Sequence, residues 1–250
     1  MTQPPADALL FEVPPPPTPT ERLLALAGRY THHNDTLDLL LAESTEPDPD
    51  SHVEAAQGLA TETLAAIKAI YDERLYESAE LSDAIARLKQ LAYLSTASAG
   101  HGPQLARELT ALAPEAVLDS ATRVAGEIRR RRWSNATPPD ESLSAAQHTA
   151  LHEIARGHVV VTGSADRQYV HHRTARVLIS TVRSLEAKDL VARKAKSASP
   201  AYIGGPPQDR VHLTPAGVTV LATVLALPPA TTAGPSPRPA PRTQTATRGR

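Results

Sequence analysis

The stretch TARVLISTVRSLEAKDLVARKAK at residues 174–196, followed by VHLTPAG at residues 211–217, decides the fold expected of this chain. Its first part predicts a short helix. Leu178, Val182 and Leu185 recur at three- and four-residue spacing, which places apolar side chains on one face of a helix. We expect that face to pack against a core.

The other side of this predicted helix is basic and carries hydroxyl groups. Arg176, Ser180 and Arg183 recur at the same spacing. At about 100° per residue, Arg176 lies about 200° from Leu178, so this second stripe faces away from the core. Thr174 is the predicted N-cap, because a threonine hydroxyl can accept a hydrogen bond from a free N–H of the first turn.

A hairpin and a further helix follow. Leu190–Lys196 is predicted to be extended, Ser197–Arg210 to be a loop that contains glycine and proline pairs, and Val211–Leu213 to be a short strand. Thr214 then opens a helix as its N-cap, with Pro215 in the first turn, where a missing N–H does no harm.

A helix with a basic outer face followed by a hairpin is the layout of a winged helix. The sequence TVRSLEAKDLVAR followed by VHLTPAG resembles the recognition helix, wing and post-wing helix of MarR- and PadR-like transcription regulators. The resemblance covers Leu143 to Leu227, about a third of the chain. It differs from the usual pattern in one place. A β-hairpin within Val159–Val170 is predicted where a short helix ordinarily precedes the recognition helix, and whether that hairpin contacts DNA stays open.

The resemblance implies a set of DNA-contacting residues on the recognition helix and beside the wing. Arginine can pair bidentately with guanine, serine and threonine can contact bases or phosphates, and cations beside the wing can hold phosphates. The expected contacts are Arg173, Thr174, Arg176, Ser180, Thr181, Arg183, Ser184, Arg193, Lys194, Lys196 and Arg210. The small core of this region is expected to contain Val170, Leu178, Val182, Leu185, Leu190, Val191 and Leu213.

Composition narrows the class of protein. Of the 250 residues, 41% are hydrophobic but only 3% are aromatic, so alanine and leucine supply the apolar content and favour helices. The absence of cysteine excludes disulfides, cysteine-ligated zinc and thiol nucleophiles. No apolar run reaches the roughly 18 residues of a membrane span, and the N-terminus does not resemble a signal peptide. The expected location is the cytoplasm.

Charge is unevenly distributed along the chain. The net charge is −1, but residues 1–128 carry 8 Lys and Arg against 20 Asp and Glu, whereas residues 129–250 carry 18 against 7. A basic half suggests a nucleic acid or an acidic partner. The acidic half is explained by a solvated helical surface.

The predicted fold class is mainly α, with N-terminal helices and a C-terminal winged helix that contains small β-hairpins. The N-terminal helices form either a monomeric bundle or a dimerisation unit, and we slightly favour a homodimer. The predicted divisions are a disordered Pro-rich leader (1–19), an all-α domain (20–133), a linker (134–142), the winged helix (143–227) and a disordered basic tail (228–250).

Within the all-α domain, Thr20 followed by Glu21 is the predicted helix start, and either one or two helices reach Glu43. The long periodic stretch is either a helical hairpin with a turn at Tyr76–Ser78 or one continuous helix. A further helix is expected to break at Ala113-Pro114. The apolar face of the long stretch is predicted to comprise Ala60, Leu64, Ile67, Tyr71, Leu75, Leu81, Ile85, Leu88, Ala92 and Tyr93.

Two further patterns have open interpretations. The run Arg129–Arg132 suits a helix C-terminus, where cations are favoured by about 0.3–1 kcal/mol each, and equally suits phosphate contact beside a DNA-binding domain. His148 and His152 lie four apart on one helix face, a spacing that can bind a metal, but no HExxH motif is present. Surface histidines are the simpler interpretation, and we expect no metal and no cofactor.

No sequence motif supports an enzyme. The chain contains no phosphate-binding loop and no nucleophile elbow. The sequence therefore predicts a regulator of transcription that binds duplex DNA through a winged helix. The alternative is a protein-interaction module that uses the winged helix and the acidic helices as docking surfaces. Binding that weakens steeply with salt would favour DNA as the partner.

Overall fold

The computed structural model describes residues 15–42, 50, 52–132, 143–163, 168–200 and 205–227. This part of the chain is mainly helical, with a small antiparallel sheet towards its C-terminal end. None of the helices in these ranges is long and apolar enough to cross a membrane. Most of the predicted leader, the 134–142 linker and the 228–250 tail lie outside the described residues.

The described residues up to Arg132 form five helices. They are α1 (Pro19–Ala42), α2 (Val53–Asp72), α3 (Ala79–Ser98), α4 (Pro103–Thr110) and α5 (Ala113–Arg132). Helix α1 is continuous, so one helix rather than two occupies this stretch.

The predicted start of α1 was wrong. Thr18, not Thr20, is the capping residue: its hydroxyl accepts from Glu21 N–H, and the Glu21 carboxylate accepts from Thr18 N–H at 2.8 Å. This reciprocal pair is a capping box, with Pro19 in the first turn. Thr20 instead lies buried.

The long periodic stretch is a helical hairpin of α2 and α3. Its turn ends at Ser78, whose hydroxyl caps α3 by accepting from Leu81 N–H at 3.1 Å. Three residues predicted to face the core, Leu64, Tyr71 and Tyr93, are more than half exposed, which corrects the predicted face. On α2 the buried stripe runs through Ala56, Leu59, Ala60, Thr63, Ala66, Ile67 and Ile70 instead.

The break before α5 lies slightly earlier than predicted. Helix α4 ends at Thr110, and Ala113 and Pro114 already belong to the first turn of α5. The break is therefore at residues 111–112. Proline at a helix start is favourable because the N–H it lacks would have no partner within the helix.

From residue 143 to 227, the part of the chain that the structure describes contains three helices and the four-stranded sheet. Its elements are α6 (Ala145–Ala155), β1 (Val160–Gly163), β2 (Gln168–His171), α7 (Ile179–Ala187), β3 (Val191–Ala198), β4 (Gln208–Leu213) and α8 (Pro215–Ala226). The strand order is β2-β1-β4-β3, and every neighbouring pair is antiparallel.

Several local predictions for this region are confirmed. Ser144 forms a capping box with Gln147 at the start of α6. Gly157 follows the end of that helix with a positive φ of 74°, and its N–H donates to the Ile154 carbonyl. The predicted hairpin is present as β1 and β2. Thr214 caps α8 by accepting from Gly217 N–H at 3.1 Å.

The predicted start of α7 was wrong. The helix begins at Ile179, its N-cap is Leu178, and Leu178 makes no side-chain cap. Thr174 and Arg176 therefore lie before the helix, and Leu178 is 48% exposed rather than part of the core. Val182 and Leu185 are fully buried, as predicted.

The strands of the second hairpin are longer than predicted. β3 extends to Ala198 and β4 begins at Gln208, so both ends of the expected loop belong to the sheet. Pairing is irregular between Lys194 and Ala198. Within this irregularity Lys196 has a φ of 52°, and its N–H donates to Asp209 Oδ1 at 2.9 Å.

The two predicted domains share one buried core within the described residues. Apolar side chains of α1, α5, α6, α8 and the sheet belong to a single cluster. Two glycines mark how closely the elements approach. A Cβ on Gly157 would lie 2.6 Å from Thr31 Oγ1 of α1, and one on Gly217 would lie 1.9 Å from the Leu190 carbonyl oxygen. A side chain at position 217 would have to push the backbone of Leu190 away, whereas one at position 157 would require the Thr31 side chain to shift.

Candidate nucleic-acid interface

Helix α7 exposes one polar face. Ser180, Arg183, Ser184 and Ala187 recur at three- and four-residue spacing and are all exposed. The opposite face is anchored by the fully buried Leu185 and its neighbour Val182. Because residues at this spacing share a helix face, the exposed set forms one continuous stripe.

The stripe is held in place by α6. Gln147, the second member of the α6 capping box, donates from Nε2 to Ser184 Oγ at 3.0 Å. Ser184 can still offer its hydroxyl hydrogen to a partner, because a hydroxyl both donates and accepts. The predicted contact Thr181 is half-buried, beside rather than within the stripe.

Two arginines converge on one glutamine of the first hairpin. Arg183 Nη2 donates to Gln168 Oε1 at 3.2 Å, and Arg193 Nη1 donates to the same oxygen at 3.1 Å. Arg193 is also paired with Glu186, with Nη2 to Oε2 at 2.8 Å, and is mostly buried. Arg183 is exposed and has no carboxylate partner among the described residues. Only Arg183 of this pair is therefore both charged and accessible.

The segment between β2 and α7 adds two exposed arginines. Arg176 has no hydrogen-bond or ion-pair partner within the described part of the chain. Arg173 reaches Glu115 of α5, with Nη1 to Oε1 at 3.2 Å, but remains 69% exposed. An exposed pair of this kind contributes about 0–1 kcal/mol, so Arg173 can exchange partners easily.

A buried carboxylate fixes this segment. Glu153 accepts from Arg156 Nη1 at 3.0 Å, from His158 Nδ1 at 3.2 Å and from the backbone N–H groups of Thr174 and Ala175 at 3.4 and 3.3 Å. Burial raises the pKa of Glu153, but the hydrogen bonds from His158 and Ala175 outweigh burial, and the net pKa lies below the usual value. Sequence reasoning missed this residue, because three of its donors follow it by 5, 21 and 22 positions.

The same network reaches the N-terminal helices through His158. Its Nδ1 contacts Glu153, and its Nε2 contacts Glu115 Oε1 of α5 at 2.8 Å. Glu115 also holds Arg173. The segment that carries Arg173 and Arg176 is thus positioned by both regions of the molecule.

Two of the predicted wing cations face the other side of the sheet. Arg210 pairs with Asp35 of α1, with Nε to Oδ2 at 2.7 Å, and donates from Nη1 to the Gly157 carbonyl at 2.6 Å. Lys194 Nζ lies 3.1 Å from His32 Nε2, also on α1. Arg210, whose side chain is only 16% exposed, and Lys194 therefore do not belong to the candidate interface.

Asp35 is itself almost completely buried. Burial raises its pKa by more than the hydrogen bond and the charge of Arg210 lower it, so the net pKa of Asp35 is raised. A buried pair of this kind ties β4 to α1. It has no spare capacity for a phosphate.

The eleven predicted contacts are therefore divided by the structure. Ser180, Arg183 and Ser184 share the exposed face of α7, and Arg173 and Arg176 are exposed on the segment that leads into this helix; we call these five residues the α7 surface. Thr174 is exposed, but its N–H is bound by Glu153. Lys196 is exposed and lies on β3 rather than on α7.

The arginine run at the end of α5 makes contacts within the protein. Arg129 Nη1 donates to the Leu227 carbonyl at 2.7 Å, Arg130 pairs with Glu127, and Arg131 donates to the Glu73 carbonyl. The side chain of Arg132 lies outside the described residues. These contacts give three of the four arginines a structural role in holding the end of α5 in place.

The histidines of α6 do not form a metal site in the described part of the chain. His148 and His152 are both half-buried there, and no three His, Asp or Glu side chains in those residues are arranged to hold a metal ion. The pKa of His152 is lowered by burial, and next by the charge of Arg156. Both effects favour a neutral imidazole.

Comparison with known proteins identifies no relative of this chain. The chain matches no protein-family model, no curated protein and no solved structure. The resemblance to MarR- and PadR-like regulators therefore stays a prediction that rests on the residues quoted for it.

Proposed function

We propose that this protein binds duplex DNA through the α7 surface and regulates transcription from a cytoplasmic location. The observation that carries the proposal is the exposed stripe of α7, which presents an arginine and two serines and contains no acidic side chain. Arg173 and Arg176 extend its positive charge along the preceding segment.

The chemistry of the α7 surface suits the major groove. A groove about 12 Å wide accepts an α-helix, whose diameter with side chains is about 10–12 Å. An arginine guanidinium can donate two parallel hydrogen bonds to guanine O6 and N7. Arg183 is accessible for such a contact, and Ser180 and Ser184 can reach bases or phosphates.

The elements around α7 also support DNA docking. A helix, a strand, α7, a hairpin and a final helix follow one another along the chain, with β1 paired to β4. This order agrees with the winged-helix layout predicted from the sequence. In place of a second helix before α7, the chain has β2 and a segment held by Glu153. On this proposal the β1–β2 hairpin flanks the bound duplex.

The test is a titration of the full-length protein against random duplex DNA at two salt concentrations. We expect affinity to fall steeply with salt, because each neutralised phosphate releases condensed counterions. Arg176→Ala and Arg183→Ala should each weaken binding and reduce the salt slope by about 1 if the lost contact is to a phosphate. The matched control is Arg87→Ala on α3, where an exposed arginine lies 3.6 Å from Asp119. Unchanged affinity in both α7 variants would reject the α7 surface.

A protein partner is the second candidate function. The observation that favours it is the exposure of two large apolar side chains, Tyr169 of β2 at 59% and Leu178 at the start of α7 at 48%. Aromatic and aliphatic side chains of this kind are typical of protein interfaces. Two results together would favour this function. The protein would fail to bind DNA even at low salt, and it would bind a protein with an affinity that changes little with salt.

Self-association through the N-terminal helices is part of the proposal. Leu64, Tyr71 and Tyr93 are exposed on the α2–α3 hairpin, where a second copy could cover them. We expect light scattering to show a dimer, and Tyr93→Lys to shift it towards the monomer. A monomeric mass for the full-length protein at micromolar concentration would reject this part.

A further inference from the structure

A long cleft lies between α1 and the second hairpin. Its volume is about 710 Å³, within the range of small-molecule sites in proteins. α1 lines it from Glu21 to Asp35, a span of about 21 Å at 1.5 Å per residue. Leu213 of β4 and Val218 of α8 form part of the opposite wall. The cleft is therefore elongated, and much of its wall is apolar.

Gly28 keeps the middle of this cleft open. It lies inside α1, where glycine is the least favourable residue apart from proline. A Cβ at this position would meet no atom within 4 Å, so neither a turn nor a close contact requires glycine there. Ala25, three residues earlier on the same face, is also small and exposed to the cleft. Together they leave a groove along α1 that any larger side chain would fill.

One end of the cleft carries a positive charge without a counter-ion. Lys194 Nζ contacts His32 Nε2 at 3.1 Å and makes no ion pair within the described residues. His212 lies at the same end. Burial first, and the charge of Lys194 second, lower the pKa of both histidines and favour their neutral forms. The ammonium group is therefore available to an incoming anion.

The acidic side chains of the cleft already have partners. Asp35 is paired with Arg210, and Glu62 is paired with Arg29. Glu21 accepts from Thr219 Oγ1 at 2.8 Å and from Thr18. Since these carboxylates already have ion-pair or hydrogen-bond partners, none of them forms an ion pair with Lys194. The cleft thus joins an apolar trough to a cation at the Lys194 end that has no counter-ion among the described residues. Arg22, which lines the cleft ten residues before His32, donates instead to the Pro17 carbonyl.

We propose that this cleft binds an unbranched aliphatic carboxylate, with its chain lying over Gly28 and its carboxylate at Lys194. The length and apolar wall of the cleft select an extended chain, and Lys194 selects the anionic head through a charge-assisted hydrogen bond. The site is separate from the α7 surface and does not depend on DNA binding.

The first test is calorimetric titration of the full-length protein, without DNA, with decanoate below its micelle-forming concentration. Decanol, decylammonium and acetate are the comparison probes. We expect decanoate to bind with one site per chain and decanol to bind at least about tenfold more weakly, because it loses the charged hydrogen bond. Decylammonium and acetate should not bind measurably. No binding of decanoate, or equal binding of decanol, would overturn the proposal.

Matched glycine variants test where the chain lies. Gly28→Leu fills the cleft, whereas Gly58→Leu places the same side chain on α2, at another helix-interior glycine with open space above it and no part in the cleft. Both variants should melt at or above the temperature of the wild type, because leucine favours a helix more than glycine does. Only Gly28→Leu should lose decanoate affinity, by at least about tenfold. Decanoate affinity unchanged in Gly28→Leu would overturn the proposed position.

Two milder variants keep the test decisive if Gly28→Leu fails to fold. Gly28→Ala adds one methyl group and should weaken decanoate binding by less than Gly28→Leu. Lys194→Gln should reduce the affinity for decanoate to that for decanol while leaving the affinity for decanol unchanged. A decanoate affinity that survives Lys194→Gln would show that the carboxylate is not held there, and would overturn the assignment.

Discussion

The sheet contacts α7 on one side and α1 on the other, and the arginines on these two sides have different surroundings. Arg183, on the α7 side, is exposed and has no acidic partner in the described residues. Arg210, on the α1 side, is paired with the buried Asp35 and bonded to a backbone carbonyl. The two residues contribute equally to the basic count of the C-terminal half. The comparison shows that charge counts do not reveal which charges are free to bind.

The alternation of side chains along β3 accounts for this division. Arg193 and Lys194 are neighbours in the chain, yet Arg193 contacts Glu186 of α7 and Lys194 contacts His32 of α1. Successive side chains of a strand point to opposite faces of the sheet. A basic pair on a strand therefore cannot serve a single surface. One member contributes to the α7 side and the other to the cleft.

Breaking the ion pair on the α1 side should have the largest effect. We expect Arg210→Met to lower the free energy of unfolding by about 3–5 kcal/mol, because it leaves the Asp35 carboxylate buried without its partner. Urea denaturation measures the change. The control is Arg29→Met, which removes an arginine of α1 paired with Glu62 in an exposed position, and should lower stability by no more than about 1 kcal/mol. Equal losses in the two variants would contradict the contrast between buried and exposed pairs.

The α1 side should also be the acid-sensitive side. His33 of α1 is buried, and burial, followed by the charges of His52, His32 and Arg107, lowers its pKa from 6.5 to about 4. The unfolded chain therefore binds this proton below pH 6.5, whereas the folded chain does not bind it until about pH 4. Its contribution to stability is complete above pH 6.5 and falls by about 3 kcal/mol as the pH drops to 4.

Denaturation curves at pH 7, 5.5 and 4 measure how the free energy of unfolding depends on pH. His33→Gln should weaken this dependence, since glutamine does not titrate. His148→Gln is the control, because that histidine lies half-buried on α6 rather than buried on α1. A pH dependence in His33→Gln equal to that of the wild type would show that other groups cause the acid sensitivity.

The segment before α7 provides an intermediate effect. Glu153→Gln replaces the carboxylate that accepts from Arg156, His158 and two backbone N–H groups. We expect a loss of about 1–3 kcal/mol in unfolding free energy, because buried donors lose a charged acceptor. DNA affinity should fall as well, since this segment carries Arg173 and Arg176. Glu54→Gln, an exposed change of the same kind on α2, should alter neither quantity.

Local features of the chain were predictable from its sequence, because their causes lie within a few residues. The capping residues Ser144 and Thr214, the glycine that ends α6 and the β1–β2 hairpin each follow from a short pattern. The capping box at Thr18 had the same kind of signal, a threonine followed three residues later by a glutamate, and was overlooked.

The partners that shape the candidate site were not predictable. Asp35 precedes Arg210 by 175 residues, and no local pattern connects them. The start of α7 was misjudged for a related reason. Leu178 satisfies the helical period, but Glu153 binds the N–H groups of Thr174 and Ala175, which belong to an irregular segment. Propensity and spacing predicted a helix start at Thr174. In the structure, the Glu153 carboxylate binds the backbone there, and the helix starts only at Ile179.

Substitutions in the α7 surface should have the smallest effect on stability. The double variant Arg176→Ala, Arg183→Ala should change the free energy of unfolding by no more than about 0.5 kcal/mol, because both side chains are exposed and neither pairs with a carboxylate of the described residues. The same variant should lose about 1–3 kcal/mol of DNA-binding free energy for each residue that reaches a base edge. Urea denaturation and DNA titration on one preparation separate the two quantities. A loss of stability comparable to that of Arg210→Met would mean that these arginines hold the fold together, and that the α7 surface is structural rather than free for DNA.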